Sequence, residues 1–309
     1  MKTFVVLPVV LQAAAVSAWG KLGHATVASV AQQYLTPNTV KQVQAILGDK
    51  STTYMGNIAS WADSFRYEEG NAWSSGLHFV NGHDAPPPES CHLILPEDCP
   101  PEGCVVSAIG NYTERVQNKE LAAEQRTQAL KFIIHFLGDI AQPLHTEAFG
   151  EGANNVTVFF DGYKTNLHAA WDTSIPNTML GISPPTSAAN ITNADFLGWA
   201  NNLAAKINQG SYRRDVRRWL RNHRLPANRK GAERAAAAWA QDGNEEVCHY
   251  VMKIPGNQLN GTEIGAGAGG DYYKGAAEVV ERSIIKGGIR LAGWLNLIFD
   301  KRTGFEFWL

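Results

Sequence analysis

The chain has 309 residues, 44% of them hydrophobic and only 18% charged, which is enough apolar material for one substantial core. Its 27 basic and 29 acidic residues leave a formal net charge of -2. That balance excludes nucleic-acid binding through bulk basic charge, so any such activity must rest on a local site.

At the start of the chain, Lys2 is followed by an apolar run from Phe4 to Ala15 and then by Val16-Ser17-Ala18, a small-x-small cleavage pattern. Residues 1–18 therefore read as a secretory signal peptide, cut to leave Trp19 at the head of a secreted, extracellular domain over 19–309. No other segment has the apolar length to cross a bilayer, which predicts a soluble protein with no membrane partner. Apolar residues at i, i+3, i+4 and i+7 predict helices over 23–35, 39–48, 107–118, 122–141, 194–209 and 275–299. In the last of these, Val279, Val280, Ile284, Ile285, Leu291, Leu295 and Ile298 make a wide apolar face. The strongest strand candidate is 156–160, followed by the turn Asp161-Gly162. Pro86-Pro87-Pro88, Pro184-Pro185 and the glycine-rich run 265–270 mark loops, and the whole predicts one mostly helical domain.

Four cysteines form an even set suited to an oxidising compartment. Three pairings are open; the short turn between Cys99 and Cys104 favours a bridge there, leaving Cys91 with Cys248. Sequons at Asn111, Asn155, Asn190 and Asn260 are candidate glycan sites in an exported chain. Between Arg213 and Arg234 stand nine basic residues, either a face for a phosphate backbone or a solvated surface.

The chemistry lies in histidines and aspartates at repeated spacing. His135 and Asp139 stand four residues apart, on one face of a helix, and His168 and Asp172 repeat the arrangement. His145 follows after Pro143 has ended or kinked the first helix, while His24, Asp63 and His78 lie nearer the N-terminus. Zinc favours imidazole nitrogen and carboxylate oxygen, and a catalytic zinc keeps one position open for water. A single such pair is ordinarily an ion pair. Two of them, in a chain whose cysteines are committed to disulfides, point to a multi-metal hydrolase.

These segments resemble the fungal and plant zinc-dependent, single-strand-specific nucleases. The resemblance rests on the stretches Trp19-Gly-Lys-Leu-Gly-His24, Trp61-Ala-Asp63 and Leu77-His78-Phe79-Val80. It continues through the stretch from Phe132 to His145 and through Asn166-Leu-His168-Ala-Ala-Trp171-Asp172. The resemblance implies a mainly α fold of the zinc phospholipase C and single-strand nuclease type, with a short β-hairpin and three zinc ions in a cleft. One zinc would be held by Asp63, His78, His135 and Asp139, and a second by His145, His168 and Asp172. The third would use the amine and carbonyl of Trp19 with His24 and a bridging Asp139. It further implies an endonuclease that hydrolyses single-stranded DNA and RNA to 5′-phosphate products and acts as a 3′-nucleotidase, working as a monomer.

The same likeness makes Asp63 and Arg66 the catalytic pair, one beside the attacking water and the other a phosphate clamp. Phe79 would stack a base, with Asn81, Asn154 and Tyr163 as further substrate contacts. The chain departs from the family at Asn81, where relatives commonly carry Asp, at Ile140-Ala141-Gln142, at Gly152-Ala153-Asn154 and at Glu151. None of these is a ligand position; they bear on base preference. A zinc phospholipase C and a non-enzymatic zinc-binding protein remain as other readings, and Phe79 with Arg66 favours nucleotides over both.

Overall fold

The computed structural model describes residues 19–184 and 190–306. The expected signal peptide, 1–18, and Pro185 of the second proline pair lie outside the described residues. Long helices occupy all six segments whose periodicity predicts them: Lys21–Gln32, Pro37–Leu47, Val105–Gln117, Ala123–Asp139, Asn193–Gln209 and Gly270–Asp300. The last begins at Gly270, because its first turn is largely solvent-facing and carries no apolar period.

A seventh long helix, Arg229–Glu246, was not anticipated. Its buried face is built from Ala232, Ala235, Ala236, Trp239, Ala240 and Gly243, small residues whose helical spacing is masked by the basic run that leads into it. Asn228 caps it, its side-chain oxygen accepting from Gly231 N at 2.9 Å.

The Gly270–Asp300 helix runs through the middle of one contiguous apolar core, and from Ser283 to Asn296 every residue is buried. The sequence suggested one wide apolar face; the helix is enclosed on all sides, and its two internal cations, Lys286 and Arg290, meet Asp242 at 2.9 and 2.7 Å. A β-carbon at Gly288 would stand 2.5 Å from Val30, so glycine there lets the Lys21–Gln32 helix pack directly on it. That contact sets where His24 points.

Strand β1, Thr157–Phe160, pairs antiparallel with β2, Tyr163–Asn166, through the expected Asp161-Gly162 turn, with Val158 opposite Thr165. A short third strand, β3, Thr262–Glu263, joins β1 in parallel. The Glu263 carboxylate accepts from Asp161 N and Gly162 N at 2.9 Å each and clamps the turn. Both disulfides, Cys91–Cys248 and Cys99–Cys104, are formed, the first closing a sequence separation of 157.

Candidate active site

The Ala123–Asp139 helix presents His135 and Asp139 one turn apart, with Nε2 3.2 Å from Oδ2. Beyond it, Pro143–Thr146 forms a 3-10 turn that carries His145. Asp63 comes from the short Trp61–Phe65 helix and His78 from the end of the 3-10 segment Ala72–His78. His168 and Asp172 lie where an α-turn, Leu167–Ala169, widens into π-turns over Ala170–Ser174; Nε2 and Oδ2 remain 3.2 Å apart. His24 enters from the N-terminal helix. Gly138 leaves room for it: a β-carbon there would lie 2.6 Å from His24 Nδ1. Gly20 N donates to the Asp172 carbonyl at 2.8 Å, which pins the buried Trp19 end of the domain beside the same cluster.

Asp139 stands at the centre and its two oxygens face different neighbours. Oδ1 is 3.1 Å from His24 Nε2, whereas Oδ2 is 3.0 Å from His78 Nδ1 and 3.2 Å from His135 Nε2. Asp63 completes the second group, its Oδ1 3.7 Å from His135 Nε2. His145, His168 and Asp172 form a further buried set whose ligand atoms lie within 4.8 Å of one another.

Backbone carbonyls orient three of the rings. His135 Nδ1 lies 2.7 Å from Ala59 O, His145 Nδ1 2.8 Å from His78 O, and His168 Nδ1 2.6 Å from Gly152 O. A carbonyl only accepts, so each Nδ1 carries a hydrogen, and in the neutral ring each Nε2 turns a lone pair inward. Gln142 performs the same service for a carboxylate: its Nε2 donates to Asp172 Oδ1 at 2.6 Å while its Oε1 accepts from Leu144 N.

These groups do not satisfy one another. Both oxygens of Asp63 and of Asp139, and both nitrogens of His24, are buried without a hydrogen-bond partner of acceptable geometry. His145 Nε2 and His168 Nε2 are only 3.2 Å apart with their other nitrogens already committed. Buried lone pairs converging without donors are the arrangement that divalent cations neutralise, and the nitrogen and oxygen donor set suits zinc.

The titration behaviour expresses the same crowding. Burial disfavours charge on His135, but Asp139 and Asp63 outweigh it and lift the imidazole to about 9. Burial would raise Asp139, yet the charge on His135 and its other imidazole neighbours bring it well below the usual carboxylate range. Burial and the neighbouring His168 push His145 down to about 4. His168 moves the other way, because Asp172 overcomes the burial that opposes its charge.

Above the cluster opens a cavity of about 770 Å³ lined by Arg66, Phe79, Asn81, Asn154 and the rings of His78, His145 and His168. Arg66 is buried, with Nε and Nη2 unpartnered and Nη2 3.7 Å from Asp63 Oδ1. Phe79 is half-buried on the wall of the cavity, not sealed in the core. Asn154 donates to Glu151 O at 2.7 Å, and Glu151 also lines the cavity. Tyr163 is not brought into this group; it is half exposed on β2, outside the cavity lining. The nine basic residues of 213–234 also stay outside it, with Arg218 and Arg229 paired to Asp215 and Glu233.

The structure adds cavity residues that sequence reasoning missed. Tyr67, next to Arg66, is exposed at the mouth, and Glu147 lies in the wall, where burial pushes its carboxyl up to about 7. Gln142 drew notice only as the glutamine that a histidine often precedes in the family, although its place between Asp139 and His145 was a signal. A second groove, of about 810 Å³, lies between the Cys99–Cys104 loop and the Arg229–Glu246 helix; Asn111 opens into it, and its lining holds no imidazole or aspartate.

Comparison with known proteins bears directly on this geometry. The family model described as S1/P1 nuclease matches residues 19–300. The chain is similar to nuclease P1 of Penicillium citrinum, at 39% identity over 91% of this chain and 97% of the relative. It is also similar to nuclease S1 of Aspergillus oryzae, at 37% over 91% of each chain. Endonuclease 3 of Arabidopsis thaliana is 31% identical over 92% of this chain and 90% of its own length.

Proposed function

The chain belongs to the S1/P1 nuclease family and is a phosphodiester-cleaving nuclease, and from that premise we propose that it is a secreted three-zinc enzyme acting on single strands. On this reading it cuts single-stranded DNA and RNA to 5′-phosphate products and removes 3′-phosphates from nucleotides. The observation that carries it is Asp139, whose two buried oxygens face separate sets of imidazoles as a carboxylate shared between two cations would.

Asp63, His78, His135 and Asp139 would hold one zinc, and His145, His168 and Asp172 a second. Trp19, through its amine and carbonyl, would hold the third with His24 and Asp139. An amide nitrogen at Trp19 has no lone pair to give, so removal of 1–18 would be a condition of the third site. Bound zinc supplies an acidified water and neutralises charge on the phosphate.

The chain's own groups do the rest. The Asp63 carboxylate, its oxygens buried and unpartnered and Oδ1 3.7 Å from the cavity-lining Arg66, accepts the proton of the attacking water. Arg66 offers its free Nε and Nη2 to the equatorial phosphate oxygens, where its fork is pre-set before substrate arrives. Phe79 takes a base against its ring, and a base inside a duplex cannot reach it without leaving its stack. Asn81 and Asn154 offer amide donors and acceptors to the base edge, and Tyr163 serves as a separate, distant stacking position. Asn155, Asn190 and Asn260 are exposed and suited to glycans, and a sugar on Asn111 would lie in the second groove.

The test is elemental analysis of purified protein starting at Trp19, together with release of 5′-nucleotides from single-stranded and duplex DNA. Three zinc atoms, rapid cleavage of the single strand and no action on phosphatidylcholine are expected. Fewer than two tightly held metals with intact oligonucleotides, or preferential phospholipid hydrolysis, overturns the proposal.

A further inference from the structure

Tyr67 has no part in the machinery described so far. It is 63% exposed, the most exposed large apolar side chain among the described residues, yet it lines the same cavity as Phe79 and the three histidines. The Arg66 guanidinium lies 5.1 Å from its ring centroid. Arg66 itself is buried, with Nε and Nη2 unpartnered, so an anion held there sits immediately beside the Tyr67 ring. Phe79, which directly follows His78, lines the same cavity. A phosphate held at Arg66 thus shares its cavity with two aromatic rings, Tyr67 and Phe79.

We propose that Tyr67 is the stacking platform for the nucleobase on the 3′ side of the scissile phosphate, separate from the base carried by Phe79. The inference rests on the nuclease reading above. Hydrolysis breaks the bond between phosphorus and the 3′-oxygen; water supplies hydroxyl to phosphorus and a proton to the departing 3′-oxygen. The nucleoside on Phe79 leaves with a free 3′-hydroxyl, and the nucleotide on Tyr67 keeps the phosphate on its 5′-oxygen. A nucleoside 3′-phosphate has no second base, so it uses Phe79 and Arg66 but never Tyr67. Stacking two successive bases on two separate protein rings also demands an unpaired strand, which gives Tyr67 a share in single-strand selection.

The two substrates separate the roles. In Tyr67→Ala, KM for a dinucleoside monophosphate is expected to rise between about fivefold and about a hundredfold with little change in kcat, the range set by loss of one base stack. Hydrolysis of 3′-AMP by the same variant stays at the wild-type level, and Tyr67→Trp restores the dinucleoside KM. An equal loss on both substrates would place Tyr67 behind Arg66 as a positioning group and overturn the proposal. No loss on either substrate, or failure of Trp to restore KM, would overturn it as well. Wild-type protein that hydrolyses neither substrate would instead reject the nuclease reading itself, so the two failures are distinct.

Discussion

Two clusters of charged side chains in this molecule are solved in opposite ways. Along the central helix, Lys286 and Arg290 share Asp242 at 2.9 and 2.7 Å, Lys286 also approaches Glu246 at 3.6 Å, and Arg282 meets Glu246 at 2.9 Å. Cations face anions, and Arg290 Nε alone of these buried atoms keeps no partner. In the imidazole and carboxylate cluster, acceptors face acceptors, and both Asp139 oxygens lack a partner despite being wholly buried. Buried charge alone therefore marks nothing; buried charge whose partners cannot satisfy it marks a site.

Paired substitutions break that contrast most strongly. Asp139→Ala removes the carboxylate shared by the two imidazole groups, and hydrolysis should fall on the order of a thousandfold or more, with loss of bound metal. Initial rates and elemental analysis read both. Asp242→Ala should leave metal content and rate alone but cost about 3–5 kcal/mol in urea unfolding, because Arg290 is then buried without an anion and Lys286 keeps only Glu246 at 3.6 Å. If the two substitutions act alike, the contrast is wrong.

Acid sharpens it. His145 lies in the site, while His223 lies beside the ion-pair cluster with Nε2 donating to Arg290 O, and burial holds both at about 4. The unfolded chain takes up these protons near 6.5, so in metal-free protein each contribution is complete above that pH. It is lost as pH falls toward 4, at up to about 3 kcal/mol each. His135, lifted to about 9, has the opposite sign: its stabilisation of the metal-free fold is complete below 6.5 and lost as pH rises through 9. Urea titrations of metal-free protein at pH 6.5 and 4.5 should show the acid loss, and His223→Gln should remove only its own half.

The smallest effect is expected at Gln142. Gln142→Leu frees Asp172 Oδ1 without touching a ligand atom, and should weaken zinc retention or rate by about tenfold to a hundredfold. Competition with a chelator, followed by rate recovery, measures it.

Much of the fold was legible because helical burial is periodic. Six segments with apolar residues three and four apart became the six helices they predicted, and the alternating run at 156–160 with Asp161-Gly162 became a hairpin. The Arg229–Glu246 helix escaped because alanine and glycine bury little area per residue and a basic lead-in hid their period. β3 escaped because a two-residue strand has no period to read; it exists only where Thr262 meets Val158.

For the candidate site, local sequence determined which side chains could act together within one helix. His135 with Asp139 follows from the helical repeat alone, and His168 with Asp172 keeps the same spacing where the turn widens. Tertiary structure decided everything that crosses segments: that Asp139 turns one oxygen to His24 and the other to His78, that three carbonyls set the imidazole tautomers, and that Tyr67 and Phe79 open into one cavity. The physical reason is range. Backbone periodicity carries information over a few residues, whereas a buried lone pair finds its neighbours only once glycines such as Gly138 and Gly288 have let distant helices close on one another.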